Sequence, residues 1–149
     1  MNAQRVLQWI TSAHQTVYQR TDGRLGHRLL TRPTLLLTTT GRRSGMPRTA
    51  CLVYAKDGED HLVVASNWGS ERAPAWLHNL RAARRSEIQV ARRRTAVTAE
   101  ECSPDHPDHP RLWEIVNRVN RDLYRQYAKK LRRPLSVIRL TPVTGAAHD

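Results

Sequence analysis

The chain has 149 residues, with 25 Lys or Arg against 13 Asp or Glu and a formal net charge of +12. This length predicts one domain over residues 1–149, burying roughly two-thirds of the surface of the unfolded chain. Membrane spans need apolar runs of roughly 18 residues, and none occurs. The N-terminus lacks a signal-peptide core, so a cytoplasmic setting is expected. Most cations are Arg, which binds phosphate and carboxylate in a bidentate way and favours a polyanionic partner.

The first half of the chain predicts one helix and three strands. Apolar side chains at helical spacing predict an amphipathic helix over residues 3–19, within the first 20 residues. A strand follows from Thr34 to Thr39, and the sequence GRRSG then forms a turn. Residues 48–56 are predicted as a second strand that ends at the hairpin signal Asp57-Gly58. The third strand covers residues 61–66.

The second half of the chain alternates helices and strands. A polar loop leads to a helix that begins near Pro74, because proline suits the first helical position. Two strands follow, one around Ile88 and one from Thr95 to Thr98 onward. The proline-rich segment 103–110 breaks the pattern, a helix covers residues 112–131, and the sequence LSVIRL forms the last strand.

Short strands in hairpin succession predict an α+β, mainly β fold. We expect an antiparallel sheet curled into a small barrel, with helices packed outside it. A doubly wound parallel sheet is disfavoured, because crossover helices are missing between most of the strands.

The turn after the first strand is unusually rich in groups that bind anions. Arg42, Arg43 and Ser44 lie between two glycines, and Arg48 follows closely. Glycines permit the positive φ angles at which successive amides form an anion-binding concavity, and guanidinium groups add charge-assisted hydrogen bonds. A solvated hairpin is the alternative at this point, because polar turns are common.

A second strand end with similar groups lies in ASNWGSERAPAWLHNL, residues 65–80. Its loop amides and the helix start near Pro74 suit an anion or the polar edge of a heteroaromatic ring. We expect Trp76 and Leu77 in the core, whereas Trp68 either packs there or flanks a ring. Because two separate strand ends carry similar glycines, loop amides and polar side chains, a binding site is favoured over two ordinary loops.

The elements LLLTTTGRRSGMPR and VVASNWGSERAPAWLHNL, in this order, resemble the deazaflavin-dependent nitroreductase family of actinobacteria. The resemblance extends over about residues 18–142 and implies a split β-barrel of the FMN-binding type. It also implies coenzyme F420, a deazaflavin with a phosphate and a polyglutamate tail, which agrees with the excess of Arg. The implied reaction is hydride transfer from reduced deazaflavin to a small hydrophobic acceptor: a quinone, a nitroaromatic or an activated alkene.

The resemblance implies three groups of cofactor-binding residues. The phosphate, lactyl group and nearby tail would be held by Arg42, Arg43, Ser44, Gly45, Met46, Pro47 and Arg48. The deazaflavin ring would be lined by Val64, Ala65, Ser66 and Asn67. The pocket would be completed by Pro74, Ala75, Trp76 and Asn79.

The candidate catalytic residues are one serine and two tyrosines. Ser66 is the first candidate for a hydroxyl that polarises the acceptor or orients the ring. Tyr124 and Tyr127 lie where family members place substrate-facing tyrosines, and their spacing puts them on one helical face. Core or surface positions are the alternative for both tyrosines. Tyr54 and Tyr18 are weaker candidates.

The sequence departs from the nitroimidazole-reducing members of this family at two places. Those members carry Lys-Gly where this chain has Asn67-Trp68, and Trp68 would narrow or reshape the substrate mouth. They carry Asn-Pro where this chain has Ala50-Cys51, which removes an amide side chain from the pocket. These departures concern the acceptor and leave the cofactor assignment unchanged.

Other functions and partners stay open at this stage: a flavin- or haem-binding split-barrel protein, a non-catalytic F420 carrier, or a basic nucleic-acid-binding module. Nucleic acid is not expected, because aromatics are only 5% and Phe is absent. Metal is not expected at Cys102, His106 and His109, since their proline-rich loop offers no scaffold. The N-terminal helix leaves peripheral contact with the inner face of the plasma membrane open, and a homodimer is also open.

Overall fold

The computed structural model describes residues 28–29 and 32–143, and an antiparallel sheet of eight strands is the centre of this part. The strands are β1 (Arg28–Leu29), β2 (Arg32–Thr40), β3 (Pro47–Val53), β4 (Ala55–Asp57), β5 (Asp60–Val64), β6 (Arg85–Val90), β7 (Arg93–Cys102) and β8 (Val137–Pro142). Their spatial order is β1-β2-β6-β7-β8-β5-β4, with β3 paired to β2. The predicted helix over residues 3–19, and Tyr18 with it, lies outside the described residues.

Three α-helices flank the sheet in the described part of the chain. They are α1 (Ala75–Ala82), α2 (His109–Val119) and α3 (Leu123–Lys130), and a 3-10 turn covers Asn67–Gly69. Pro74 directly precedes α1, which confirms the predicted start of that helix. None of the described helices has the length and apolar character needed to cross a membrane.

The predicted strand over residues 48–56 is two strands that pair with different partners. β3 pairs with β2, β4 pairs with β5, and the chain changes partner at Tyr54, whose amide donates to the carbonyl of Pro33 at 3.1 Å. The hairpin predicted at Asp57-Gly58 is confirmed, with Gly58 at a φ of 61°. Because β3 and β4 are separated by one residue yet pair at opposite ends of the strand order, the sheet must curl back on itself. This curl is the split barrel.

The predicted helix over residues 112–131 is broken into α2 and α3. Arg121 and Asp122 have left-handed φ angles of 53° and 63° between the two helices. Asn117 is fully buried beside this break, and its Oδ1 accepts a hydrogen bond from the amide of Arg125 at 3.0 Å. The apolar periodicity continues across both helices, so the sequence pattern does not reveal the break.

Successive side chains of β5 point to opposite faces of the sheet and belong to two apolar core layers. Val63 faces the layer under α1, whereas Leu62 and Val64 face the layer under α2 and α3. Trp76 and Leu77 of α1 are 8% and 4% exposed, as predicted for core positions. Helices therefore cover the sheet on both faces, and the end of β5 lies between the two layers.

Candidate active site

A cavity of about 880 Å³ forms where three distant segments of the chain meet. These segments are the turn after β2, the loop between β5 and α1, and the break between α2 and α3, while β3 supplies one wall. The predicted site residues that line it are Arg42, Arg43, Ser44, Arg48, Val64, Ser66, Asn67, Pro74, Ala75, Trp76, Asn79, Tyr124 and Tyr127. The fold thus brings both sequence elements and both candidate tyrosines to one place.

Four predicted site residues do not line this cavity: Gly45, Met46, Pro47 and Ala65. Ala65 is 1% exposed and lies in the core layer under α1, because neighbouring residues of an extended chain face opposite sides. Met46 is 59% exposed at the outer edge of the turn. The cavity therefore contacts the start of the turn and Arg48 rather than the whole GRRSGMPR sequence.

The turn after β2 closes on itself through its own backbone. The amide of Gly41 donates to the carbonyl of Met46, and the amide of Gly45 donates to the carbonyl of Gly41, both at 2.8 Å. A Cβ at Gly41 would lie 2.6 Å from Oγ of Ser44 and 3.2 Å from the carbonyl oxygen of Met46, so a side chain there would displace Ser44. Gly45 has a φ of 71°, which also favours glycine.

Asn79 of α1 fastens this turn to the helix. Its Oδ1 accepts from the amide of Arg42 at 3.1 Å, and its Nδ2 donates to Oγ1 of Thr39 at 3.0 Å. Among the described residues, Arg43 and Ser44 are the turn positions whose amides have no hydrogen-bond acceptor. The turn therefore offers two amides to an anion, because its other amides already donate hydrogen bonds.

Positive charge is concentrated and unneutralised around the cavity. Arg42, Arg43, Arg48 and Arg72 line it, and within residues 32–143 none of the four forms an ion pair. In the same range, six acidic side chains are paired with other arginines, namely Arg81, Arg111, Arg125 and Arg139. Because guanidinium groups bind phosphate and carboxylate well, this part of the cavity suits an anionic ligand.

Arg72 and His78 line the cavity and were missed by the sequence prediction. The pKa of His78 is lowered by burial and then by the positive charges of Arg42 and Arg81, so its imidazole is neutral near pH 7. The signal for Arg72 was present in the sequence, since it is a further arginine in the loop before Pro74. His78 lies one residue before Asn79 and has no comparable signal.

The loop after β5 is held together by hydrogen bonds that leave one hydroxyl available. The carbonyl of Ser66 accepts from the amide of Gly69 at 2.9 Å, and Nδ2 of Asn67 donates to the carbonyl of Arg72 at 2.9 Å. The Asn67 amide thus closes the loop. The hydroxyl of Ser66 has no partner among the residues of the described chain, so it is free to contact a ligand in the cavity.

Three successive residues of this loop have left-handed backbone angles. The φ angles of Asn67, Trp68 and Gly69 are 45°, 57° and 78°. A Cβ at Gly69 would lie 2.7 Å from Cδ1 of Tyr127, so the loop backbone packs directly on that ring. Non-glycine residues adopt this conformation only where their surroundings hold it. Trp68, which lines the cavity, is therefore placed by the loop conformation rather than by its own preference.

Both candidate tyrosines are protonated and can donate hydrogen bonds. Burial raises the pKa of Tyr124 and of Tyr127, while a hydrogen bond from Asn120 acts in the opposite direction on Tyr124. Asn120 and Leu123 also line the cavity and were not predicted, because their position depends on the helix break. Asn120 is 4% exposed, and its Oδ1 has no partner in the described part of the structure.

The wall from β3 is largely apolar and contains a cysteine. Burial raises the pKa of the Cys51 thiol to about 12, against a hydrogen bond with Thr34 that lowers it. Cys51 is therefore a neutral thiol rather than a thiolate nucleophile. Ala50 also lines the cavity, so the departure Ala50-Cys51 lies in the wall of the site, as predicted.

Glu100 and His106, which lie beside Cys102, belong to an ion-pair network with Arg139. Glu100, Cys102 and His106 have ligand atoms within 4.8 Å of one another. However, Glu100 forms an ion pair with Arg139 and a 3.0 Å hydrogen bond with His106. The guanidinium group would repel a cation here, and His109 lies outside this cluster.

Comparisons with known proteins agree on one family. The model of the F420H2-dependent quinone reductase family matches residues 10–142. An F420H2-dependent quinone reductase of Mycobacterium tuberculosis strain H37Rv is 46% identical over 129 residues, which covers 86% of this chain and 87% of the relative. The solved structure of an F420-H2 dependent reductase, FDR-A, has a TM-score of 0.66 at 26% identity and covers 73% of this chain and 94% of its own.

A second solved structure, described as a domain-swapped dimer, has a TM-score of 0.68 at 26% identity. The match covers 90% of this chain and 98% of that structure. These findings confirm the resemblance read from the two sequence elements. Together with the curled sheet and its arginine-rich cavity, they show that the chain belongs to the F420H2-dependent quinone reductase family, whose members are oxidoreductases that use coenzyme F420.

Proposed function

We propose that this chain reduces a quinone with F420H2 inside the cavity of about 880 Å³. The observation that carries the proposal is the polarity of this cavity. Among the described residues, four arginines without ion pairs line it, three of them from the turn after β2 and the start of β3, and apolar and aromatic side chains form much of the rest. A deazaflavin with a phosphate and a polyglutamate tail has the same division between an anionic part and a flat ring, so the lining fits this cofactor.

The anionic part of F420 would be held by the turn after β2 and its neighbours. Arg42, Arg43, Arg48 and Arg72 supply guanidinium groups, and the amides of Arg43 and Ser44 supply two backbone donors. All four arginines are exposed, so their attraction for the phosphate and tail is screened by salt. We therefore expect the affinity for F420 to fall as ionic strength rises.

The ring of F420 would lie against the end of β5 and the start of α1. When bound, reduced F420 supplies a hydride that, with one proton, converts a quinone to its hydroquinone. The hydroxyl of Ser66 is available to orient the ring or to donate to the acceptor. Tyr124 and Tyr127 keep their protons and can donate to a quinone oxygen as negative charge develops on it.

Nitroaromatics and activated alkenes are further acceptors that this arrangement supports. They share with quinones an electron-poor, flat skeleton and an oxygen that accepts hydrogen bonds. Among the described residues that line the cavity, the wall from β3 is uncharged around Cys51, since this thiol is neutral and its neighbours Ala50 and Leu52 are apolar. We propose that flat, uncharged acceptors are preferred.

We further propose that the chain forms a homodimer, for which the domain-swapped dimer among the related structures is the support. Peripheral contact with the plasma membrane stays a prediction from the sequence, because the N-terminal helix on which it depends lies outside the described residues. A hydrophobic quinone as acceptor would be consistent with such contact.

The proposal is tested first by titration with F420, with FMN and with a short DNA duplex, followed by fluorescence. We expect F420 to bind most tightly, and Arg43→Ala to weaken it about tenfold, as loss of one charge-assisted contact does. The matched control is Arg85→Ala, which removes another exposed arginine, one outside the cavity. Equal or tighter binding of FMN or DNA, or an equal effect of both substitutions, would count against the proposal.

Turnover is tested by mixing the protein with F420H2 and menadione. We expect the absorbance of oxidised F420 to appear at a rate that depends on protein concentration. A protein that binds F420 but leaves it reduced with quinones, nitroaromatics and enones would be a carrier, and the proposed activity would be wrong.

A further inference from the structure

Arg133, which lies between α3 and β8, contacts the active-site loop from outside the cavity. Its guanidinium group donates to three backbone carbonyls: Nη1 to Ala65 at 3.0 Å, Nη2 to Ser66 at 2.9 Å and Nε to Ser70 at 2.9 Å. Arg133 is not among the cavity-lining residues. A single side chain thus joins both ends of the loop that carries Ser66 and Trp68.

A second contact joins the same two segments beside the first. The carboxylate of Glu71 accepts from the amide of Arg132 at 3.0 and 3.3 Å. This contact uses the backbone of Arg132, whose side chain is exposed. Arg132 and Arg133 are therefore neighbouring arginines of equal charge, and the guanidinium group of Arg133 is the one bound to the loop carbonyls.

The loop needs such an external contact because its backbone is strained. Asn67 and Trp68 are non-glycine residues with φ angles of 45° and 57°. Residues in this region persist only where the surrounding structure holds them. A guanidinium group is a rigid, planar donor and can bind several fixed acceptors at once, which the flexible ammonium group of lysine does less well.

We propose that Arg133 is a positioning residue for the active-site loop after β5. By binding the carbonyls of Ala65, Ser66 and Ser70, it holds the Ser66 hydroxyl at the cavity and Trp68 at its mouth. The expected effect on kinetics rests on the proposed function. The expected effect on the loop rests on the contacts of Arg133 alone. It predicts that loss of Arg133 lowers turnover more than F420 affinity, because Arg42, Arg43 and Arg48 still hold the anionic part of F420 while the groups that face the ring and the acceptor lose their position.

The test compares Arg133→Ala, Arg133→Lys and the control Arg132→Ala. In cofactor-free protein, hydrogen exchange is measured at the amides of Gly69 and Ser70, which donate to Ser66 and Asn67 within the loop. We expect exchange there to become at least tenfold faster in Arg133→Ala, less so in Arg133→Lys, and to stay unchanged in Arg132→Ala. Added guanidinium ion at low concentration is expected to slow exchange again in Arg133→Ala only.

The kinetic readout separates the acceptor from the cofactor. We expect kcat/KM for menadione to fall by about 100-fold in Arg133→Ala, the loss that misplacement of a reacting group by about 1 Å produces. The dissociation constant of F420, measured by fluorescence, should change by less than about threefold, below the tenfold step that corresponds to about 1.4 kcal/mol. Guanidinium ion should restore part of kcat/KM.

The proposal is overturned if Gly69 and Ser70 exchange at the wild-type rate in Arg133→Ala, or if Arg132→Ala has the same effect. It is also overturned if F420 affinity falls as much as kcat/KM for the acceptor. If Arg133→Ala does not fold, the exchange of Gly69 and Ser70 is measured in Arg133→Lys instead. Exchange at the wild-type rate in that variant would overturn the proposal. A wild-type chain that reduces no quinone refutes the proposed function, while the exchange pattern still decides whether Arg133 holds the loop.

Discussion

Replacing Asn79 with alanine is expected to weaken both the fold and the binding of F420. Asn79 is 4% exposed, and its amide group binds the backbone amide of Arg42 at 3.1 Å and the hydroxyl of Thr39 at 3.0 Å. These two contacts tie α1 to the turn that carries Arg42 and Arg43. The substitution therefore removes the attachment of the turn without removing any of its charges.

The expected loss of stability follows from the two hydrogen bonds. Each has a net value of about 1 kcal/mol, and a buried partner left without a hydrogen bond costs about 1–3 kcal/mol. The unfolding free energy should thus fall by about 2–4 kcal/mol, which lowers Tm by roughly 5–15 °C in a domain of this size. The loosened turn must also be ordered again on binding, so we expect the Kd for F420 to rise by about tenfold.

Thermal unfolding by circular dichroism and fluorescence titration with F420 at fixed ionic strength measure these two effects. The control is Gln89→Ala on β6, because Gln89 is also buried and its Nε2 donates to the carbonyl of Ala91 at 2.9 Å, away from the cavity. This control should lose stability and keep the wild-type Kd. The reasoning is refuted if Asn79→Ala retains the wild-type Tm and Kd, or if Gln89→Ala weakens F420 binding equally.

Three further substitutions test other parts of the structure. Gly69→Ala should lower the unfolding midpoint and kcat/KM for quinones, because its Cβ would lie 2.7 Å from the ring of Tyr127; an unchanged midpoint would contradict this packing. Burial lowers the pKa of His61 to about 4 from 6.5, so stability is full above about pH 6.5 and falls between pH 6.5 and 4, by at most about 3 kcal/mol. The free energy of unfolding of His61→Gln, measured with urea at several pH values, should lack this fall. An identical pH dependence in the variant and the wild type would refute the assignment to His61. Cys51→Ala should keep F420 binding, and wild-type Cys51 should resist iodoacetamide at pH 8, since its thiol pKa is about 12; rapid labelling of the folded protein would show that burial is incomplete.

Residues close together in the sequence are sufficient to predict most of the strands, the hairpin and the helix after Pro74. These features depend on residues close together in the chain: alternating apolar residues, the Asp57-Gly58 turn and a proline at a helix start. The anion-binding character of the turn is also readable, because Arg42 and Arg43 and two glycines are neighbours in sequence. The two elements together were enough to identify the cofactor class.

The break between α2 and α3 and the partner switch at Tyr54 could not be read in this way. Apolar periodicity continues through both helices, and nothing between residues 48 and 56 marks a change of partner. The switch depends on the carbonyl of Pro33 from a distant strand, and the helix break depends on the burial of Asn117, whose side chain accepts from the amide of Arg125. Tertiary structure therefore decides which of two locally acceptable conformations the chain adopts.

The sequence by itself determined the fold class, the family and the presence of residue types suited to an anion. Only the tertiary structure decided how those residues are held, since Asn79 is 37 residues from Arg42 and Arg133 is 68 residues from Ala65. Asn79 was predicted as a pocket residue and also fastens the turn, whereas Arg133 was not predicted at all. A hydrogen-bonding side chain shows its chemistry in the sequence, but its partner is chosen by the packing of the sheet and helices, because the curl of the barrel brings these distant segments together.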